Sequence, residues 1–316
     1  MNKVHNSWLD TMNGLKEKHS IIAELIGGNS VAFLDIPTYF NVGDLLIWKG
    51  TEQFFKEHNV NIVYRSDCNK INHKELEKAD IILFQGGGNF GDLYHSHQNL
   101  REIIVRKYKS KRIICLPQTI KFESMYSEKK SASVFKEHND FHILTRDIHS
   151  FETSKKFTSN VMLVPDMAHS LHPMVDVSEI TTDQHLPKIL NMVRVDIESM
   201  GATANERLSK RGFDWINIIS QQDYWLQSIY KKASTLSPHS ASMNNRCMSF
   251  WGRCSDNLVF RSVNYFNNHT EVHTDRLHGL ILASLLGKKV NLFDNSYGKN
   301  SSYYKMWLST NPLISF

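Results

Sequence analysis

The sequence predicts an α/β fold of two Rossmann-like domains facing a cleft, and three observations predict it. Short apolar runs bounded by Gly, Pro or Asn alternate with longer stretches of helical period along most of the chain. The alternation breaks once, in the polar, Pro-containing segment between Pro173 and Pro187, and then resumes. Residues able to bind ligands stand directly after the apolar runs, where open parallel sheets place their sites. The expected domains are therefore 1–175 and 176–316, with the C-terminal tail packing back on the first.

The elements follow in order. The opening segment to Ile26 carries Leu15, Ile21, Ile22, Leu25 and Ile26 as a helix, and Gly27-Gly28-Asn29 stops it. Val31–Ile36 is short, apolar and bounded by Gly and Pro, hence a buried strand. After a loop at Asn41-Val42-Gly43-Asp44, Leu45–Glu57 reads as a helix with Leu45, Leu46, Trp48, Phe54 and Phe55 inward. Ile62–Tyr64 and Ile81–Gln85 are strands, and Leu100–Lys107 is a helix. Arg112–Pro117, Phe141–Thr145 and Val161–Asp166 complete the first set of strands. In the second set Lys188–Val195 and Asp214–Ile219 read as strands, Gln222–Lys232 as a helix, and Ser234–Asn245 as a Ser-rich turn. Asn257–Asn267 is a helix, Glu271–Thr274 a strand, Leu277–Leu286 a helix and Lys289–Asp294 a strand. Tyr303–Leu308 is a short aromatic helix. Strand, loop and helix in repetition give parallel sheets covered on both faces.

Bulk properties narrow the function. With 316 residues, 41% apolar and 22% charged, the chain can bury a large core. The net charge of +5 suits anionic small substrates or an anionic membrane surface and is too small and too dispersed to argue for nucleic acid. Cys68, Cys115, Cys247 and Cys254 form no C-x-x-C pair, which suits a reducing compartment and argues against a zinc site. Met1–Ser20 is polar and mixed in charge, so the expected location is the cytoplasm, with peripheral contact at the inner face of the membrane permitted by the charge.

Six constellations can carry chemistry. Gly86-Gly87-Gly88-Asn89-Phe90-Gly91-Asp92 follows a strand, and its amides can meet an anion; a packing turn is the alternative. It matches neither a dinucleotide fingerprint nor a P-loop. In Asn41-Val42-Gly43-Asp44, Asp44 either caps the next helix or meets sugar hydroxyls. In Thr274-Asp275-Arg276-Leu277-His278-Gly279, Arg276 offers a planar fork for carboxylate or phosphate, and His278 can give or take a proton. Arg146, at another strand end, would complete an anion clamp. Arg194, Asp196 and Glu198 alternate along one strand face. Asp166 and His169 stand at a further strand terminus. His95 with His97, and His269 with His273, do not come with the set of acidic or Cys partners that metal sites usually show, so no metal is expected.

Together these segments resemble the polysaccharide pyruvyl transferase family. The matching pieces are Asn41–Asp44, Phe84–Leu93 (FQGGGNFGDL), Leu116–Ile120, Thr145–Asp147, Val164–Ala168, Arg194–Asp196 and Thr274–Gly279, continuing through Asp294–Lys299 (DNSYGK). They occur in the family's order across nearly the whole chain. Between Glu198 and Asn257 little matches. The resemblance implies a glycosyltransferase-B-like fold, phosphoenolpyruvate as co-substrate with no cofactor, and a pyruvate ketal on a sugar of a surface glycan. It implies that Arg276, Leu277 and His278 sit at the phosphoenolpyruvate site, joined by Arg146. Gly87, Gly88, Asn89, Asn41 and Arg194 are the further expected binding residues. His278 is the expected acid, and Asp44 or Asp92 orients or deprotonates the acceptor, which in this family is often lipid-linked. Two other readings compete: a sugar-nucleotide glycosyltransferase, which shares the implied fold, and a non-catalytic scaffold for glycan assembly.

Overall fold

The apolar runs become strands, and the central ones of the larger sheet are buried on both faces, as helix-covered parallel sheets require. The computed structural model describes residues 3–176, 188–192, 212–235, 240–294 and 298–316. In it β1 (Val31–Leu34), β2 (Ile62–Arg65), β3 (Ile81–Phe84), β4 (Gly87–Phe90), β5 (Arg112–Ile120), β6 (Phe141–Thr145) and β7 (Asn160–Leu163) form a seven-stranded sheet. Its order is β2-β1-β3-β5-β6-β7, with β4 pairing β5 beyond the end of β3, and every pairing is parallel. A second parallel sheet contains β8 (Ile189–Met192), β9 (Glu271–Thr274), β10 (Lys289–Leu292) and β11 (Ile314–Ser315), in the order β11-β10-β9-β8. The chain is thus mixed α/β with parallel sheets, as its alternation predicts.

The helices that cover the first sheet are α1 (Lys3–Glu17), α2 (Ser20–Ile26), α3 (Val42–Glu57), α4 (His73–Glu77), α5 (His95–Lys107), α6 (Met125–Lys136) and α7 (Ile148–Ser154). The opening helix is split in two, and Gly27 in the left-handed region ends the second piece. Later in the chain come α8 (Gln221–Ser234), α9 (Ala241–Asn267), α10 (Leu277–Leu285) and α11 (Lys299–Tyr303).

Three readings are corrected. Trp215–Ile218 is a 3-10 helix, because Asp214 and Asn217 form a reciprocal capping box that closes a turn where alternation suggested a strand. Only Phe213 there bridges to Met192. The Ser-rich stretch at 240–245 opens a 27-residue helix: Ser240 caps it through the Met243 amide. The glycine-rich turn after β3 is itself a short strand. The expected continuation of β8 at 193–195, Arg194 included, lies outside the described residues, as does 295–297 of the downstream motif.

The α8–α9 hairpin, although it comes after residue 212, packs on the edge of the first sheet. Lys49 Nζ donates to the Gly252 carbonyl at 2.9 Å, and Asn244 Nδ2 donates to the Arg65 carbonyl at 2.8 Å. The same hairpin grips the loop after β1. Trp251 Nε1 donates to the Pro37 carbonyl at 2.8 Å, and Gln227 Nε2 to the Thr38 carbonyl at 2.9 Å. Both chain ends cross over. Trp8 Nε1 of α1 donates to the Ser284 carbonyl of α10 at 2.7 Å, and the Asp166 amide donates to the Tyr303 hydroxyl at 3.1 Å. One apolar core accordingly runs from Trp8 and Phe33 through Leu46 and Trp251 to Leu282 and Val290. A second cluster, including Phe84, Phe90, Phe135 and Phe157, fills the opposite face of the first sheet.

Candidate active site

The loops at the carboxyl ends of both sheets line one cavity of ≈ 430 Å³. Tyr39, Asn41, Asp44, Gly88, Asn89, Tyr94, His97 and Arg146 come from the first sheet's loops and helices. Trp215, Arg276, Leu277, His278 and Asn300 come from the other side.

Asn41 caps α3, its side-chain oxygen accepting from the Gly43 amide at 3.0 Å. The capping role considered for Asp44 therefore belongs to Asn41. Asp44 stands in the first turn of α3 and lines the cavity. Desolvation raises its pKa, against the pull of His278, of a hydrogen bond from Tyr39, of Arg146 and of His97. It is thus held closer to proton exchange than an ordinary carboxylate.

Arg146 follows β6 and is buried. Its Nε donates to Thr119 Oγ1 at 2.9 Å, and its Nη1 donates to the Asp166 carboxylate. Nη2 faces Gly88, 3.5 Å from where a side chain there would begin. Trp307 Nε1 pins its backbone carbonyl at 2.8 Å. Burial alone would raise the Asp166 carboxyl; the charges of His278 and Arg146 outweigh it and hold the group well below the usual carboxylate range.

Arg276 precedes α10 in extended conformation, with its amide on Thr274 Oγ1 at 3.0 Å and its Nη2 on the Asp214 carboxylate. Two residues on, in the first turn of α10, His278 Nε2 lies 3.3 Å from Asp166 Oδ2. The ring packs directly against α3: a Cβ on Gly43 would lie 2.5 Å from His278 Nδ1. Only glycine lets the two helix starts approach this closely.

Behind the cavity a buried cluster ends β1. Asp35 is a non-glycine residue with φ of +69°, a strained backbone that its contacts must hold in place. Its carboxylate meets His97 Nδ1 at 2.5 Å and Arg101 Nη2 at 2.9 Å. Arg101 also donates to Asn89. Asp35, Cys68 and His97 bring possible metal donors within 4.8 Å of one another. Folding thus gives His97 an acidic and a Cys neighbour, Asp35 and Cys68, from distant parts of the sequence. The fully buried Arg101 already balances the Asp35 charge, and burial pushes the Cys68 thiol up to about 12, so the donor set suits a cation poorly.

The structure brings Asn41, Asp44, Gly88, Asn89, Arg146, Arg276, Leu277 and His278 together. Gly87 stands just behind: a Cβ there would lie 3.6 Å from Asp44 Oδ1. Asp92 does not join them: its oxygens accept from the Glu123 and Ser124 amides at 2.8 and 2.9 Å, bracing a surface loop. Tyr39, Tyr94, His97, Trp215 and Asn300 line the cavity without having been singled out as ligand residues in the sequence. The one available signal for them is position: Tyr39, Tyr94 and His97 follow β1 or β4, as the recognised residues follow their strands.

By its fold this is an α/β protein of parallel sheets with a cavity at the strand ends. It belongs to the polysaccharide pyruvyl transferase family, whose model matches residues 41–297. Among its relatives is a Bacillus subtilis (strain 168) protein with the provisional name pyruvyl transferase EpsO, 37% identical over 309 residues, 96% of this chain and 93% of that one. The Schizosaccharomyces pombe (strain 972 / ATCC 24843) protein Pyruvyl transferase 1 is 27% identical over 296 residues, covering 89% of this chain and 70% of the relative. The crystal structure of a functionally uncharacterized Klebsiella pneumoniae protein matches with a TM-score of 0.58 at 23% identity, covering 95% of this chain and 96% of that chain, and shows the shared fold. Membership supports transferase activity and implies a polysaccharide acceptor. No described helix is long and apolar enough to cross a membrane.

Proposed function

We propose that the chain transfers the enolpyruvyl unit of phosphoenolpyruvate to a sugar of a surface-glycan repeat unit, forming a pyruvate ketal and releasing phosphate. The observation that carries this reading is the convergence of Arg146, Arg276, His278 and Asp44 on one cavity from two sheets. Phosphoenolpyruvate carries a carboxylate and a phosphate, and two guanidinium groups on opposite walls suit two anionic groups on one small molecule. Each arginine already leans on a carboxylate, Asp166 or Asp214, which orients it before the donor arrives. The two walls are read as glycosyltransferase-B-like domains, with the donor held mainly from the α10 side.

In this mechanism a sugar hydroxyl oxygen attacks C2 of phosphoenolpyruvate while the C3 methylene takes a proton and becomes a methyl group. A second hydroxyl of the same sugar then attacks C2, the C2–O bond to phosphate breaks, and the ring closes. Of the two hydroxyl protons lost, one balances the proton gained at C3 and the other leaves with phosphate. His278, oriented by Asp166, donates toward the donor; Asp44, with its raised pKa, handles the acceptor proton. The test is phosphate release from phosphoenolpyruvate with a lipid-linked sugar acceptor. Arg276→Ala and His278→Ala should each lower turnover about a hundredfold or more. Near-normal turnover in both, or release of nucleotide from a sugar nucleotide instead, would overturn the reading.

A further inference from the structure

The α8–α9 hairpin has two unlike faces. Its inner face is gripped by the first sheet: besides the Pro37, Thr38 and Arg65 carbonyls, the Tyr230 hydroxyl donates to Asp67 Oδ2 at 2.9 Å. Its outer face carries a different chemistry. On α9, Arg246, Phe250, Arg253, Asn257 and Phe260 recur at steps of four and three, so they share one side of the helix. On α8, Trp225, Ile229 and Lys232 do the same. Ile229, Arg246 and Phe250 line one groove, which puts both stripes on the same side of the hairpin.

That groove measures ≈ 380 Å³, and Ala233, Met243 and Cys247 make its walls mostly apolar. Trp225 is 62% and Phe260 64% exposed, among the most exposed large apolar side chains of the protein. Isolated exposed residues are ordinary, but a helix-paired stripe beside an apolar groove marks an interaction face. Lys232, Arg246 and Arg253 are exposed there. No ion pair among the described residues engages them. The neighbouring acids are taken, Asp223 by Arg261 and Asp256 by Lys49.

We propose that this outer face docks on an anionic lipid bilayer, with an acyl chain entering the groove and lipid phosphates meeting Arg246 and Arg253. Aromatic and aliphatic side chains interleaved with cations on a helix surface match the boundary between acyl chains and headgroups. A second copy fits worse. A two-fold contact would set each cationic stripe against its own image, with like charges facing across an apolar interface. Docking does not depend on the identity of the donor substrate. It does bear on the cavity, because the inner face of the same two helices holds the loop that carries Tyr39 into it.

The experiment is flotation of the full chain with vesicles of phosphatidylglycerol mixed into phosphatidylcholine, against vesicles of phosphatidylcholine alone. Wild-type chain should float with the anionic vesicles and stay behind with the neutral ones. Arg246→Gln combined with Arg253→Gln should weaken partitioning about thirtyfold, the loss expected for two cations at an anionic surface. Trp225→Ala combined with Phe260→Ala should weaken it while leaving its salt dependence in place. Melting temperatures identify any variant that fails to fold, and Lys232→Gln then serves as the milder charge substitution. No flotation of the wild type, equal flotation with both vesicles, or full retention by the arginine variant overturns the proposal. So does a dimer in solution that the Phe260 substitution dissociates, since the face would then be a contact between copies.

Discussion

The two walls of the cavity are built to different tolerances. On the first-sheet wall Arg146 is fixed from three directions, by Thr119, by Asp166 and through its backbone by Trp307, and the Asp166 carboxylate it pairs with is wholly buried. On the other wall Arg276 stands at a helix start, and its partner Asp214 belongs to a short 3-10 turn. The Arg276 side chain is about twice as exposed as that of Arg146, 13% against 6%. The first wall is a fixed template of charge. The second holds its charge at the start of α10, where it is more open to an entering ligand. His278 joins them, standing on the second wall while its partner carboxylate belongs to the first.

The largest effect tests the fixed wall. Arg146→Ala leaves Asp166 charged and buried without its strongest hydrogen-bond donor, and should cost about 3–5 kcal/mol in urea unfolding. Arg276→Ala should cost only about 1–2 kcal/mol, because Asp214 keeps its backbone partner at Trp215. Equal losses would break the comparison. Next in size is Gly43→Ala, which pushes a methyl group into the His278 ring. Turnover should fall about a hundredfold through misplacement of that ring, with a stability loss of about 1–3 kcal/mol. Unchanged turnover would show that contact between the walls at this point does not matter.

Acid should loosen the fixed wall first. His19, His169 and His172 surround its base, and burial lowers them from 6.5 to about 4, 3 and 4. The unfolded chain therefore binds more protons below pH 6.5. The contribution of these residues is intact above that pH and is lost as pH falls toward 4. At pH 5, His19 alone should cost about 2 kcal/mol, readable by denaturant titrations at a series of pH values. His19→Gln should flatten that slope. The smallest effect concerns the loop at the cavity mouth. Trp251→Phe removes one hydrogen bond to the Pro37 carbonyl and should cost about 1 kcal/mol. Hydrogen exchange should quicken at the Tyr39 and Asn41 amides and stay unchanged around β5.

Much of this was legible in the chain itself. The strands of the first sheet announce themselves as apolar runs, and the residues that line the cavity follow those runs, Arg146 after β6 and Arg276 after β9. Contacts that form only on folding were not legible. Asp35 and His97 are 62 residues apart, and nothing near either one marks the pair. Trp215–Ile218 misled through its alternating apolar residues, because hydrophobic period is blind to the Asp214 capping box. The first half of α9 misled through its Ser and Asn content. Those side chains are used: Ser240 caps the helix, and Asn244 bonds the Arg65 carbonyl. Asp92 looked catalytic by proximity to the glycines, yet its two oxygens are spent on loop amides.

The crossed chain ends limit how such a protein can be recombined. Trp8, near the beginning, is tied to Ser284 in α10, and Tyr303, near the end, holds the amide of Asp166 beneath the first sheet. A chimera that joins the first 176 residues of one relative to the remainder of another would replace one partner in each clasp. Exchange of segments between relatives is therefore better attempted by grafting α8, α9 and the Pro37–Phe40 loop as one unit, since they bond one another, leaving both ends with the partners they evolved against.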